Sequence, residues 1–174
     1  MSDTLTEQPS KKSSGAAVDH RKSGQCGIKR AGGGVVSYCV HGATGKIRAS
    51  DFTPSKLIEV LRFGLPVQEL HDLQASLGVP MEKLFPLLGI SKATLHRRKA
   101  AGRLGQAESD RVVRFAKLLG KAVKVFAGLE DAKQWLNSPQ FGLGGAVPLD
   151  YSKTEIGARE VENLLGRIEY GVYS

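Results

Sequence analysis

Across residues 108–126 the apolar side chains Val112, Phe115, Ala116, Leu119, Ala122, Val123 and Phe126 recur at offsets of 0, 3, 4, 7, 10, 11 and 14. Those intervals line one face of an α-helix; they cannot line one face of a strand, where the period is two. A stripe this long has to be covered along its whole length. The chain therefore has to supply further elements that pack on this helix, and the simplest suppliers are other helices.

The flanking sequence offers them. Thr53-Pro54 reads as an N-cap followed by proline at the first helical position, with Leu57, Ile58 and Leu61 as a short apolar face and Gly64 as the stop. Pro66 opens a second helix with Leu70, Leu73 and Leu77 at helical spacing, ended by Gly78. Pro80 opens a third over 81–88. Gly89-Ile90 is a turn, Ser91 an N-cap, and residues 92–100 a fourth helix ended by Gly102. After the long helix come a short one over 131–136, a glycine-bearing loop over 141–149, and a last helix capped by Thr154. Its inner face is Gly157, Val161, Leu164, Leu165 and Ile168, and Gly171 ends it. The expected fold is all-α, with one helical domain over 51–105 and a second over 106–174.

Residues 1–50 read differently. They are rich in Ser, Gly and Lys, with Gly32-Gly33-Gly34 at their centre, and their few apolar residues have no helical period. Such a stretch buries too little surface to offset the entropy of ordering. It is expected to be disordered with at most a short strand over 35–40, or else to be an extension ahead of a natural start near residue 50. Cys26 and Cys39 lie in it and form neither a zinc-ligand pattern nor a disulfide framework. With no long apolar run and no apolar core in the first ten residues, neither a membrane span nor a secretory signal is expected, and the default location is a reducing cytoplasm.

Charge divides the chain as well. The total is +8, from 25 Lys/Arg and 17 Asp/Glu. It falls as +5 over residues 1–50, +3 over 51–105 and zero over 106–174. A nucleic-acid face belongs in the earlier part, whereas the neutral last third suits packing or a protein partner. Catalysis finds little support. His20, His41, His71 and His96 have no metal-ligand spacing, and Gly42-Ala43-Thr44-Gly45-Lys46 lacks the phosphate-loop spacing, with Ile47 where a magnesium-binding hydroxyl would stand. No cofactor and no metal is expected.

The run Leu84 to Arg98 has the build of a helix-turn-helix. Gly89 supplies the residue that tolerates positive φ in a tight turn, and Ile90 and Leu95 pin the second helix to the first. From Ser91 to Gly105 there are five Lys/Arg and no acid. Ser91 sits where a hydroxyl and helix N-terminal amides meet a phosphate. Lys92, Ala93 and Thr94 lie where base contacts fall, with His96, Arg97 and Arg98 further along the outward face. The alternative is a helical hairpin with a solvated basic face.

In the last third, Trp135 reads as a core anchor, Gly144 and Gly145 as turn or close-approach glycines, and Gly157 as a packing contact. Arg167, Glu169 and Tyr170 are harder to place in a core. They suit insertion into a concave partner surface; the alternative is a frayed, solvated terminus.

The ordered series Trp135-Leu136, Pro139, Leu143-Gly144-Gly145, Pro148-Leu149, Thr154, Gly157, Val161, Leu165 and Arg167-Ile168-Glu169-Tyr170-Gly171 closely resembles the toxin-binding domain of the Xre/MbcA/ParS family of antitoxins. Gly89-Ile90-Ser91-Lys92, Thr94-Leu95 and Arg97-Arg98, with Ser109-Asp110-Arg111-Val112 and Arg114, resemble its helix-turn-helix part. The resemblance covers about residues 55–174. It implies a type II antitoxin that neutralises a RES-domain, NAD-consuming toxin by covering its active site. The implied contacts are Arg167, Glu169, Tyr170 and Gly171 and the tail Val172, Tyr173 and Ser174. It also implies a homodimer that represses its own promoter. The competing reading is a stand-alone dimeric helix-turn-helix regulator that uses the last third only to dimerise.

Overall fold

The long apolar stripe folds into α6 (Gln106–Phe126), with Val112, Phe115, Ala116, Leu119 and Ala122 all but inaccessible to water. The computed structural model describes residues 34–42 and 53–172. These belong to one unit, Ala31–Ser174, built around α6. Ahead of it stand α1 (Val35–Gly42), α2 (Pro54–Phe63), α3 (Gln68–Leu77), α4 (Met81–Leu88) and α5 (Lys92–Ala101). After it come α7 (Leu129–Asn137), a 3-10 turn (Phe141–Leu143), α8 (Pro148–Tyr151) and α9 (Glu155–Glu169). Among the described residues no strand forms; the nearest to one is an isolated antiparallel bridge between Pro66 and Arg103. The all-α expectation holds.

α6 is covered from both sides. α1, α2, α3 and α4 pack on it from the earlier sequence, and α7 and α9 from the later. Their buried side chains make one continuous core. Three contacts fix how α9 lies on it. Arg114 pairs with Glu155 at 3.1 Å, Lys121 Nζ donates to the Glu162 carbonyl at 2.8 Å, and Lys124 pairs with Glu169 at 2.8 Å. The partners advance together along both chains, so α9 runs parallel to α6. Asn137 joins the two halves at another point: its Nδ2 donates to the carbonyls of Leu77 at 3.2 Å and Lys133 at 2.9 Å.

The segment 35–40 is a helix, correcting the strand reading. Valine favours extended backbone only weakly, and tertiary contacts override that preference here. The carboxylate of Glu69 reaches the start of α1 and accepts from Val35 N at 2.8 Å and Val36 N at 2.9 Å, satisfying two amides that a helix leaves unpaired. Val35, Val36 and Val40 are buried in the core. On α6, Gly120 lets the α1 backbone come close; a Cβ there would stand 2.0 Å from the Cys39 carbonyl oxygen. Glycine within a helix costs about 1 kcal/mol relative to alanine. Here it makes room for another backbone. The expectations for 1–33 and 43–50, with Cys26 and residues 43–46 of the glycine-bearing stretch, lie outside the described residues, as does the side chain of His41.

The 141–149 loop is more structured than its glycines suggest. It holds the 3-10 turn and then α8, which begins at Pro148 as a proline-led helix does. Gly157 is a close-approach residue: a Cβ there would meet the Tyr151 carbonyl at 1.8 Å. Trp135 is half-buried, its ring centroid 5.6 Å from that of Phe126.

Candidate functional site

Two surfaces of the molecule carry the residues singled out in the sequence. The first is the helix-turn-helix. α4 ends on Gly89 in the left-handed conformation, φ 60°, and the Ile90 amide donates to the Phe85 carbonyl at 2.9 Å. Arg111 of α6 reaches over the turn and donates to the Leu88 carbonyl at 2.9 Å, a cation against the negative end of α4. Ile90 is buried beneath it.

α5 then starts at the Ser91 cap, whose Oγ accepts from Thr94 N at 3.1 Å and lies 2.9 Å from Thr94 Oγ1. No residue of α5 is fully buried; Leu95 is the apolar side chain it lays against the core. Lys92, Ala93, His96, Arg97 and Lys99 are exposed, and Thr94 is half-buried beside the cap. Lys92, Arg97 and Lys99 make no ion pair among the described residues. Arg98 is placed differently from its neighbours. Its Nε lies 2.7 Å from Glu108 Oε2, and the same carboxylate accepts from the Gly105 amide at the start of α6. Arg98 thus holds α5 against α6. Arg103 stays exposed and donates to the Gly64 carbonyl at 3.0 Å. The outward cations of α5 are therefore Lys92, Arg97 and Lys99, with His96 among them.

The second surface is the end of α9. Gly157, Ala158, Val161 and Leu165 are buried, so the opposite stripe points to water. The helix closes in a Schellman turn: Val172 N donates to the Arg167 carbonyl at 2.9 Å and Gly171 N to that of Ile168 at 3.2 Å, with Gly171 at φ 67°. The terminus is therefore capped, not frayed. Tyr170 is 80% exposed and Val172 55%, and Arg167, one turn before Tyr170, is exposed as well. Glu169 is held by Lys124, whose ammonium this hydrogen bond pushes above its ordinary pKa. Arg167, Tyr170, Gly171 and Val172 are thus free for a partner, and Glu169 is oriented from α6. Tyr173 and Ser174 lie outside the described residues.

Sequence reasoning missed three positioning groups: Glu69 under α1, Glu108 under Arg98, and Asn137 at the junction. Each acts across 10 to 60 residues, beyond any helical period. The described residues hold no cluster of His, Cys, Asp and Glu able to bind a metal ion, and no helix among them is long and apolar enough to cross a membrane.

Both surfaces have counterparts in known proteins. Residues 121–171 match the family model described as the antitoxin Xre/MbcA/ParS C-terminal toxin-binding domain, and residues 56–117 match the antitoxin Xre-like helix-turn-helix domain. The chain is 33% identical over 120 residues to the antitoxin Xre of Yersinia enterocolitica, covering 68% of this chain and 81% of that one. It is 36% identical over 117 residues to the antitoxin Xre of Photorhabdus laumondii, covering 66% and 79%. The chain belongs to the Xre/MbcA/ParS family of antitoxins. A more distant relative, 28% identical over 132 residues and covering 70% of this chain and 83% of its own, is the Prs ADP-ribosylating antitoxin of a Sphingobium strain. As an antitoxin of a toxin–antitoxin system, the chain has a toxin as its protein partner, and its helix-turn-helix implies DNA. The first matched segment ends at residue 117 and the second begins at residue 121, both within α6.

Proposed function

We propose that this antitoxin neutralises a RES-domain, NAD-consuming toxin in the cytoplasm by laying the end of α9 and the tail that follows over the mouth of the toxin's active site. It acts by binding and not by catalysis. The observation that carries this reading is the closed end of α9. A Schellman turn fixes the backbone, yet Tyr170 and Val172 stand in water, and Arg167 stands beside them. Tyr and Arg on a fixed scaffold are the residue types that anchor interfaces, and a fixed scaffold loses little entropy on binding. The Sphingobium relative's name joins antitoxin to ADP-ribosylation, a reaction that takes NAD as its donor, which fits a toxin of NAD chemistry.

The same chain represses its own promoter through α5. Lys92, Ala93, Thr94 and Arg97 face the major groove, Ser91 and the first amides of α5 face a phosphate, and Arg98 braces the helix from behind. One such helix is short, so two copies on successive half-sites supply the affinity, which calls for a homodimer.

The test is co-expression with the adjacent toxin gene. A chain ended after Glu169 keeps Leu165 in the core and loses Tyr170 and the tail. It is expected to bind promoter DNA and to leave cells unprotected. Full protection by that truncated chain would show that the end of α9 is not the neutralising element, and would favour a regulator whose last third only dimerises.

A further inference from the structure

The end of α9 and its tail, residues 167–174, are too small to be the whole toxin footprint. A stable protein–protein interface uses roughly 20–30 residues a side. A second contact has to lie on the same surface, and the loop after α7 supplies one. Phe141 is fully exposed, the most exposed large apolar side chain described. A phenyl ring left wholly in water at a flexible tip would be unremarkable. This one sits on a braced loop. Gln140 Nε2 donates to the carbonyls of Trp135 at 2.9 Å and Ser138 at 3.1 Å, while Gln140 N donates to the Ala146 carbonyl at 3.0 Å. The turn closes on itself through Gly144 N to the Phe141 carbonyl at 2.9 Å and Gly145 N to the Gln140 carbonyl at 3.0 Å.

The loop is also tied to α9. A Cβ on Gly142 would meet Leu164 Cδ1 at 2.7 Å, so residue 142 lies directly on α9. Leu164 precedes Tyr170 by six residues, about 9 Å along a helix axis. The loop that carries Phe141 therefore lies against α9 less than two turns before the proposed toxin contact, and Phe141 falls inside the segment 121–171 that matches the toxin-binding domain.

We propose that Phe141 is a second toxin anchor: its ring enters an apolar pocket of the same toxin whose active-site mouth receives the end of α9. This rests on the toxin reading of α9 given above. The two anchors make different demands on the toxin, a polar-rimmed opening for Arg167 and Tyr170 and a purely apolar pocket for Phe141. Because the loop is already ordered, little freedom is lost when the ring is buried, which makes it an efficient anchor.

The test compares Phe141→Ala, Tyr170→Ala and Phe63→Ala in the full chain. Affinity for the purified RES-domain protein encoded beside this chain is measured by calorimetry. Phe63 is 64% exposed on α2, outside the matched toxin-binding segment, and serves as the control. All three side chains stand largely in water, so circular dichroism is expected to show unchanged folding. Phe141→Ala is expected to weaken binding about 10- to 100-fold, the range for loss of one buried aromatic anchor, while Phe63→Ala leaves it unchanged. If Tyr170→Ala weakens binding and Phe141→Ala does not, the second anchor is overturned and the α9 reading stands. If Phe141→Ala instead changes the oligomeric state in light scattering and leaves toxin affinity alone, the ring packs on a second copy of this chain and the proposal is wrong. If the unaltered chain does not bind the neighbouring protein, the α9 reading fails and this one falls with it.

Discussion

α5 and α9 are both surface helices on the same rod, and they are attached in opposite ways. α9 buries a spine of Gly157, Ala158, Val161 and Leu165 and adds polar ties to α6 near its start, middle and end. α5 buries no residue completely and is held by the Ser91 cap, half-buried Leu95 and the Arg98–Glu108 pair. The difference fits what each surface is proposed to meet. A helix that reads a groove needs long polar side chains around most of its circumference, so little of it is left to pack. A helix that meets a protein can split into a packed face and a presented one. Substitutions on the outward face of α5 should therefore cost function with little cost in stability, and those on the inner face of α9 should cost both.

The largest expected effect is at Leu165. Leu165→Ala leaves a cavity in a fully buried site and is expected to destabilise the fold by about 2–5 kcal/mol, read as a lower midpoint in urea. Leu95→Ala on α5 is expected to cost about 1–2 kcal/mol, since the side chain is only half-buried. Equal costs would break the comparison.

The seat of α1 gives the next effect. A side chain at residue 120 has to displace the Cys39 carbonyl, so Gly120→Val is expected to release α1 at a cost of about 1–3 kcal/mol. Cys39 reports the release. Burial pushes its thiol up to about 11. A thiol held there is fully protonated in the neutral range, and any stability it lends is present below the unfolded-state value and is lost as pH rises towards 11. In a Cys26→Ser background at pH 7.5, alkylation of Cys39 is expected to speed up by on the order of a hundredfold in Gly120→Val, as the pKa returns towards its ordinary value. An unchanged rate would mean that α1 keeps its seat.

Arg98→Ala should cost about 1–3 kcal/mol by stranding the Glu108 carboxylate. Lys92→Ala with Arg97→Ala should change stability by no more than about 0.5 kcal/mol. That pair of changes is nonetheless expected to abolish promoter binding while leaving toxin neutralisation intact. Promoter binding equal to that of the unaltered chain would remove α5 as the recognition helix.

What could be read from the sequence was local. The α6 stripe, the Ser91 and Thr154 caps and the Gly89 turn each declare themselves within a few residues, because helical period and capping chemistry act over one or two turns. The inner face of α9 was equally plain. α1 was illegible: two of its helical amides are satisfied by Glu69, 33 and 34 residues away, and its tight seat depends on Gly120. The role of Arg98 was hidden in the same way. A run of basic residues looks uniform until the fold brings Glu108 beneath one of them. The end of α9 read as a partner contact with a frayed terminus as the alternative, and the Schellman turn shows that the backbone there is capped.

If the end of α9 silences the toxin proposed above, the direct measurement is that toxin's NAD consumption, titrated with the full chain and with a variant carrying Arg167→Ala and Tyr170→Ala. The full chain is expected to stop the reaction near a fixed stoichiometry, and the variant, folded and still bound to promoter DNA, to need about tenfold more protein to do so. Equal inhibition by the two chains would show that the end of α9 is not the silencing element.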